Sequence, residues 1–276
     1  MKLSLCNEVL LPLPLASQCA AAARMGYGAL EVAPFTLTEQ PETLDCAAAR
    51  RLRATAHTEG LAISSLHWLL VKPEGLSLVG HDAAQRQRTL DLLRRLIDFT
   101  AACGARVLVH GSPRQRSPSE GQSLADASAR FEAAMAELAP HAQAAGVVYC
   151  IEPLGRFETP LLNTVAEAAA MVDRIGSPAV RTMLDVSAAS HSESEPVHEV
   201  LRRFLDSGHI AHVQLNDRNR RGPGQGDTDQ RPVLQALKDL DYSGWVAVEP
   251  FDYQPDGPGC ARASADHVFE IWGELS

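Results

Sequence analysis

Four ionisable residues close short apolar runs or sit near their ends. Glu152 ends "VVYCIE" (147–152), Asp185 ends "VRTMLD" (180–185), His212 lies in "HIAHVQLN" (209–216), and Glu249 ends "WVAVE" (245–249). An apolar run that stops on a carboxylate carries a charge to the rim of a core, where burial without a partner is costly. Three carboxylates and one imidazole, brought to one place, make an oxygen-rich ligand set without thiolates. Such a set suits Mn2+ foremost, with Mg2+, Co2+ and Zn2+ also admitted, and does not match a structural zinc site. Glu158 follows Glu152 by six residues and could reach the same place. Two histidines end similar runs: His67 in "LAISSLH" (61–67) and His110 in "RVLVHG" (106–111). Both are candidates for contacting a hydroxylated substrate, and His67 could instead pack under a loop.

These residues converge only if the runs that carry them lie side by side. Besides the six runs above, "KLSLC" (2–6) and "ALEVA" (29–33) complete a set of eight. Segments with helical periodicity lie between them. In "TLDLLRRLIDFTAAC" (89–103), Leu92, Leu96, Phe99 and Cys103 recur at steps of three and four, while Asp91, Arg94, Arg95 and Asp98 fall toward the other face. That is a helix with one buried side. Segments 126–146, 165–176 and 232–240 read alike, and Gly104, Gly146, Gly176, Gly208 and Gly244 stand where helices would close. Alternating strands and helices imply a parallel sheet covered by helices, and strands this apolar suit burial on both faces. Eight units in a chain of 276 residues match a closed (β/α)8 barrel, read as a single α/β domain over 1–276. An open doubly wound sheet would normally show a glycine-rich turn after its first strand, and "CNEVLLPLP" has none. The barrel places active residues at the C-terminal ends of its strands, which is where these carboxylates fall.

Composition narrows the function classes. The net charge of −9 disfavours a nucleic-acid grip, although a basic stretch occurs at 218–221. The six cysteines show no CxxC pair and read as reduced packing residues. The N-terminal "MKLSLCNEVLLPLPLAS" holds two prolines and Glu8, which suits a first strand and loop better than a signal peptide. No run of 18 apolar residues occurs, so no membrane span is expected and the cytoplasm is the expected location. "GPGQGD" (222–227) lacks the lysine and Ser/Thr of a nucleotide-binding loop and reads as a turn at the pocket rim. Arg114 and Arg116, in "HGSPRQRSP" (110–118), read as a solvated loop or as contacts to a phosphate or carboxylate.

"IEPLGRFETPLLNT" resembles the matching segment of the ketose 3-epimerases, of tagatose and psicose epimerase type, within the xylose-isomerase-like barrel superfamily. Glu152, Arg156, Phe157, Glu158, Leu162, Asn163 and Thr164 stand in that family's places. "MLDVSAASHSESEP" resembles the segment around its sixth strand, "HVQLNDRNRRGPGQGD" its seventh-strand histidine and arginine–glycine loop, and "DYSGWVAVEPF" its eighth-strand entry. The resemblance covers residues 146–251 well and the first half loosely. It implies metal ligands at Glu152, Asp185, His212 and Glu249, catalytic roles for Glu152 and Glu249, and substrate contacts from Glu158 and Arg220. Ala188 stands where that family carries a substrate-contacting histidine, which implies different polar contacts to the substrate.

The resemblance further implies a metal-dependent isomerase of carbohydrate metabolism. One glutamate would take a proton beside a ketose carbonyl, giving a metal-bound enediolate, and the other would return a proton from the opposite face. Small-molecule sugars are the expected partners, with homodimers or homotetramers as the expected assembly. Alternatives on the same barrel are a hydroxypyruvate-type isomerase, a cyclitol or keto-sugar dehydratase, and a sugar-binding barrel without turnover. A DNA-repair endonuclease would need more histidine ligands and a basic track.

Overall fold

The computed structural model describes residues 1–276. Its eight strands pair in parallel and in sequence order, and the last closes on the first. They are β1 (Lys2–Cys6), β2 (Ala29–Val32), β3 (Ala62–Leu66), β4 (Val107–His110), β5 (Val148–Ile151), β6 (Val180–Asp185), β7 (Ile210–Leu215) and β8 (Trp245–Val248). The chain is therefore a (β/α)8 barrel, as its alternating pattern predicts.

The helices that cover it are α1 (Leu15–Arg24), α2 (Cys46–Thr58), α3 (Ala83–Cys103), α4 (Pro113–Arg116), α5 (Leu124–Ala145), α6 (Val165–Ile175), α7 (Val186–Ser192), α8 (Val197–Asp206), α9 (Arg231–Asp239) and α10 (Gly257–Glu274). The helix predicted over 89–103 begins earlier, at Ala83, because Asp82 caps it by accepting from Ala84 N at 2.8 Å. Gly104, Gly146 and Gly176 cap their helices in the left-handed region, with φ of 83°, 68° and 66°. Gly244 does not serve as predicted. The turn after α9 takes its positive φ at Asp241 (50°), and Gly244 is needed for space, since a Cβ there would lie 2.4 Å from the Tyr242 hydroxyl.

Side-chain alternation along each strand divides the apolar interior in two. Leu108, Tyr149 and Ile151 belong to the large core between strands and helices. Val109, Cys150 and Met183 form a separate small cluster inside the barrel. Residues in step with Val109 and Cys150, namely Gly111 and Glu152, therefore face the barrel axis at its C-terminal mouth. Leu96 of α3 lies wholly in the outer core. Leu96→Ala should cost about 2–5 kcal/mol, read as a lower denaturant midpoint with an unchanged m-value; a loss under about 1 kcal/mol would contradict close packing there.

Candidate active site

Glu152, Asp185 and Glu249 converge at the barrel mouth, with one carboxylate oxygen of each within 4.8 Å of the others. All three are buried. Glu152 follows β5 directly and reaches the axis over Gly111, where a Cβ would lie only 2.1 Å from its Oε2. Asp185 ends β6 and caps α7, accepting from Ala188 N at 2.7 Å through Oδ1. Its Oδ2 accepts from Asn216 Nδ2 at 2.6 Å. Asn216 also donates to the Glu249 carbonyl at 3.0 Å and accepts from Ser187 N at 2.7 Å, so one buried amide ties three strand ends together. Glu249 Oε1 is held by His67 Nδ1 at 2.8 Å and by Trp68 Nε1 at 3.1 Å, while its Oε2 has no partner.

Crowding these carboxyls disfavours their charged forms. Burial, then the nearby Glu249 and Asp185, pushes the Glu152 carboxyl well above the usual carboxylate range. Burial pushes Asp185 up to about 7 against the pull of Ala188 N–H and Asn216, and Glu249 up to about 8 against the pull of His67. Three converging carboxylates, one with a bare buried oxygen, fit a hard, oxygen-preferring ion.

His212 does not join that group. Its Nε2 lies 3.0 Å from Glu31 Oε2, deeper in the barrel. Burial would raise the Glu31 carboxyl, but His212, with help from His67 and Ser65, holds Glu31 below its usual value. Glu31 lies inside the apolar run 29–33, and a carboxylate in that position is the only signal the sequence offers for it. His67, a predicted substrate contact, is instead buried between carboxylates, with Glu8 Oε2 at 3.0 Å from its Nε2 and Glu249 on its other nitrogen. Burial alone would lower its pKa, but Glu8 and Glu249 together raise it well above the ordinary imidazole value. Glu8 was missed because it lies past β1 on a short 3₁₀ turn, Asn7–Leu10.

His110 requires correction. It was a predicted substrate contact, yet it faces the helix layer, with Nδ1 2.7 Å from the Tyr149 hydroxyl and its ring edge-on to Phe131. Alternation explains this: Val109 and Gly111 face the axis, so the residue between them faces out. Burial lowers its pKa to about 3, keeping the ring neutral.

Arg116 is fully buried rather than solvated, with Nε and Nη2 unpartnered. Its Nη1 donates at 3.4 Å to the His110 carbonyl, which also accepts from Glu152 N at 3.2 Å. Burial lowers its pKa to about 10, against the opposing pull of Glu152 and Glu158. Glu158 lines the mouth beside Glu152 and accepts from Gly155 N at 3.1 Å; its Oε1 lies 3.4 Å from Arg220 Nη2. The Arg220 guanidinium sits 4.3 Å from the centre of the Phe251 ring, and its backbone is left-handed with φ 68°. Arg221 pairs with Asp252, and Arg218 is exposed.

Residues 19–271 match the family described as Xylose isomerase-like TIM barrel. The chain belongs to this family. Among its relatives is a probable ketose 3-epimerase of Synechocystis, 28% identical over 184 residues; the match spans 66% of this chain and 63% of that protein. A putative hydroxypyruvate isomerase of Mus musculus is 30% identical over 251 residues, or 86% and 83% of the two chains. A crystal structure of D-psicose 3-epimerase in the presence of D-fructose superposes with a TM-score of 0.83 at 22% identity, covering 99% of this chain and 100% of that one. That last likeness is one of fold. No helix of this family member is long and apolar enough to cross a membrane.

Two outcomes follow from the geometry of this xylose-isomerase-like mouth. Gly111→Ala should displace Glu152 and weaken divalent-cation binding at least tenfold by calorimetric titration with little change in melting temperature; unchanged affinity would show that Glu152 does not need the gap. The second concerns chelator-treated protein. Asp185 and Glu249 bind protons more tightly folded than unfolded, where their values are about 4. Their neutral forms therefore stabilise the fold fully below about pH 4, and that stability is lost as pH rises through about 7 and about 8. The melting temperature of the stripped protein should fall between about pH 5 and 8.5, and less steeply in Asp185→Asn; a profile rising over that window would contradict the assigned crowding.

Proposed function

We propose that this chain is a divalent-metal-dependent ketose epimerase that inverts the carbon next to the carbonyl, held by Glu152, Asp185, His212 and Glu249 around the ion. The observation that carries this reading is the approach of Glu152 and Glu249, from β5 and β8, to one small chamber with Asp185 between them in chain order. The Synechocystis relative, a probable ketose 3-epimerase, supports it, as does the run from Glu152 to Thr164. Mn2+ is the preferred ion, and Mg2+, Co2+ or Zn2+ fit the same donors. When bound, the cation would polarise the substrate carbonyl and make the neighbouring C–H more acidic.

His212 would enter the ligand set by exchanging its contact with Glu31. The remaining chemistry belongs to side chains. Glu152 takes the proton from one face of the carbon, and Glu249 supplies one from the other face; in the reverse direction the roles exchange. Such transfer needs one carboxyl ionised and its partner protonated, which suits groups whose burial favours the neutral form near pH 7. Glu249 presents Oε2, because His67 and Trp68 occupy Oε1. Asn216 and Ala188 N–H keep Asp185 from swinging away. Glu158 and Arg220 meet substrate hydroxyls, while Trp68 and Phe251 exclude water.

A second reading, a hydroxypyruvate-type isomerase, draws on the named mouse relative. Proton NMR in D2O separates the two, since epimerisation labels C3 of a recovered 2-ketose and isomerisation leaves an aldehyde product labelled beside it. Epimerised, C3-deuterated ketose is the expected result. Glu152→Gln and Glu249→Gln should each lower kcat/KM by about 10²–10⁴, and Asp185→Asn should reduce bound metal on elemental analysis. Full activity in either glutamine variant would overturn the assignment.

A further inference from the structure

Trp68 separates two spaces at the barrel mouth. On its inner side lies the chamber over Glu152 and Glu249, with only about 20 Å³ free. On its outer side a cavity of about 730 Å³ runs between the loops after β3 and β4, lined by Trp68, Val71, Glu74, Leu76, Pro113 and Arg114. Trp68 and Pro113 border both spaces. The inner chamber has room for about one water, so most of any sugar that reaches Glu152 and Glu249 must lie outward of it. The outer cavity falls in the range of about 300–1,000 Å³ that encloses whole organic ligands, more than the tail of one hexose requires.

The outer cavity is built rather than a gap between loose loops. The two loops are stitched by Leu78 N to the Gln115 carbonyl (2.8 Å), Gln115 Nε2 to the Leu70 carbonyl (2.9 Å) and Leu70 N to Ser112 Oγ (3.2 Å). Trp68 itself is held in the left-handed region, at φ 49°, a strained conformation for a bulky residue. Its indole is fixed by the bond to Glu249 and by an edge contact with Phe251 at 6.1 Å. Its chemistry suits a sugar ring. The indole with Val71 and Leu76 gives an apolar wall for the C–H face of a pyranose. Glu74 and Arg114 are exposed and free of ion pairs, so an acceptor and a donor remain for ring hydroxyls.

We propose that the substrate is a ketose carrying a second sugar ring, the ketose end entering the inner chamber and the second ring lying in the outer cavity against Trp68. The assignment of a ketose to the inner chamber rests on the epimerase reading; the outer subsite rests on the cavity itself. The test compares free D-psicose, D-tagatose and D-fructose with the disaccharide ketoses isomaltulose, maltulose and lactulose. Metal-loaded protein is followed by deuterium uptake in D2O, and binding by tryptophan fluorescence.

At least one disaccharide should exceed every free ketose tenfold or more in kcat/KM, and Leu76→Trp, which fills the outer cavity, should bring that ratio toward one. Free ketoses processed as well as all three disaccharides, or a ratio unmoved by Leu76→Trp, would overturn the subsite and leave the epimerase reading standing. Conversely, disaccharide binding that Leu76→Trp abolishes, with no deuterium uptake into any sugar, would retain the subsite and overturn the epimerase reading. Absence of both binding and uptake overturns the two together.

Discussion

Mutual repulsion among Glu152, Asp185 and Glu249, sealed together within 4.8 Å, is the constraint around which the barrel mouth is arranged. At an effective dielectric constant of about 20, two unit charges about 4 Å apart repel by about 4 kcal/mol. Moving each ion out of water adds several kcal/mol more. A flexible surface would relieve this by letting the side chains part. Here they cannot part, because each is anchored at the end of a strand in a closed sheet and two are held through Asn216. The strain leaves only two outlets, uptake of protons or uptake of a cation, and both belong to the chemistry proposed for the site.

Around the carboxylates, imidazoles alternate with acids. Glu8, His67 and Glu249 form one chain, and Glu31 with His212 another. An imidazole between two carboxylates can give a hydrogen bond from each nitrogen, so His67 orients both neighbours while its charge offsets theirs. This explains why so polar a floor is tolerated inside an apolar tube. Most of its groups are paired; Glu31 Oε1 and the Gln214 amide are not, and the bare Glu249 Oε2 lies at the mouth, where a ligand would meet it. Arg116 brings a further buried cation to the same quarter, sharing the His110 carbonyl with the Glu152 backbone.

The carboxylates were legible in the sequence because strand period and barrel polarity together dictate where a strand-ending residue lies. Glu152, Asp185 and Glu249 needed only that rule. His110 defeated it by one residue: the strand-end position is shared by an inward and an outward side chain, and the inward one here is Gly111, which carries no chemistry to notice. The pairing of His212 with Glu31 joins β7 to β2, and no local pattern encodes a contact across the barrel. Glu8 was hidden by its place on a short turn, and Arg116 by a burial that only the packing of α4 and α5 creates. Helix ends were read well where glycine was needed for its φ, and misread at Gly244, where it is needed for room.

Chemistry and selectivity consequently sit on different parts of the chain. The strand ends fix a set of carboxylates whose placement follows from the closed sheet, and such a set can serve any substrate with an acidic C–H beside a carbonyl. Above them stand the loops after β3, β4 and β7, on which the proposed selectivity rests. Two residues held at positive φ without being glycine, Trp68 and Arg220, project from two of those loops, and both contact Phe251. Strained backbone survives when its surroundings over-determine it, and here the fixing contacts run to Glu249 and Glu158 themselves. Through those contacts, a change in the wall proposed to choose the sugar would also reach the carboxylates proposed to act on it.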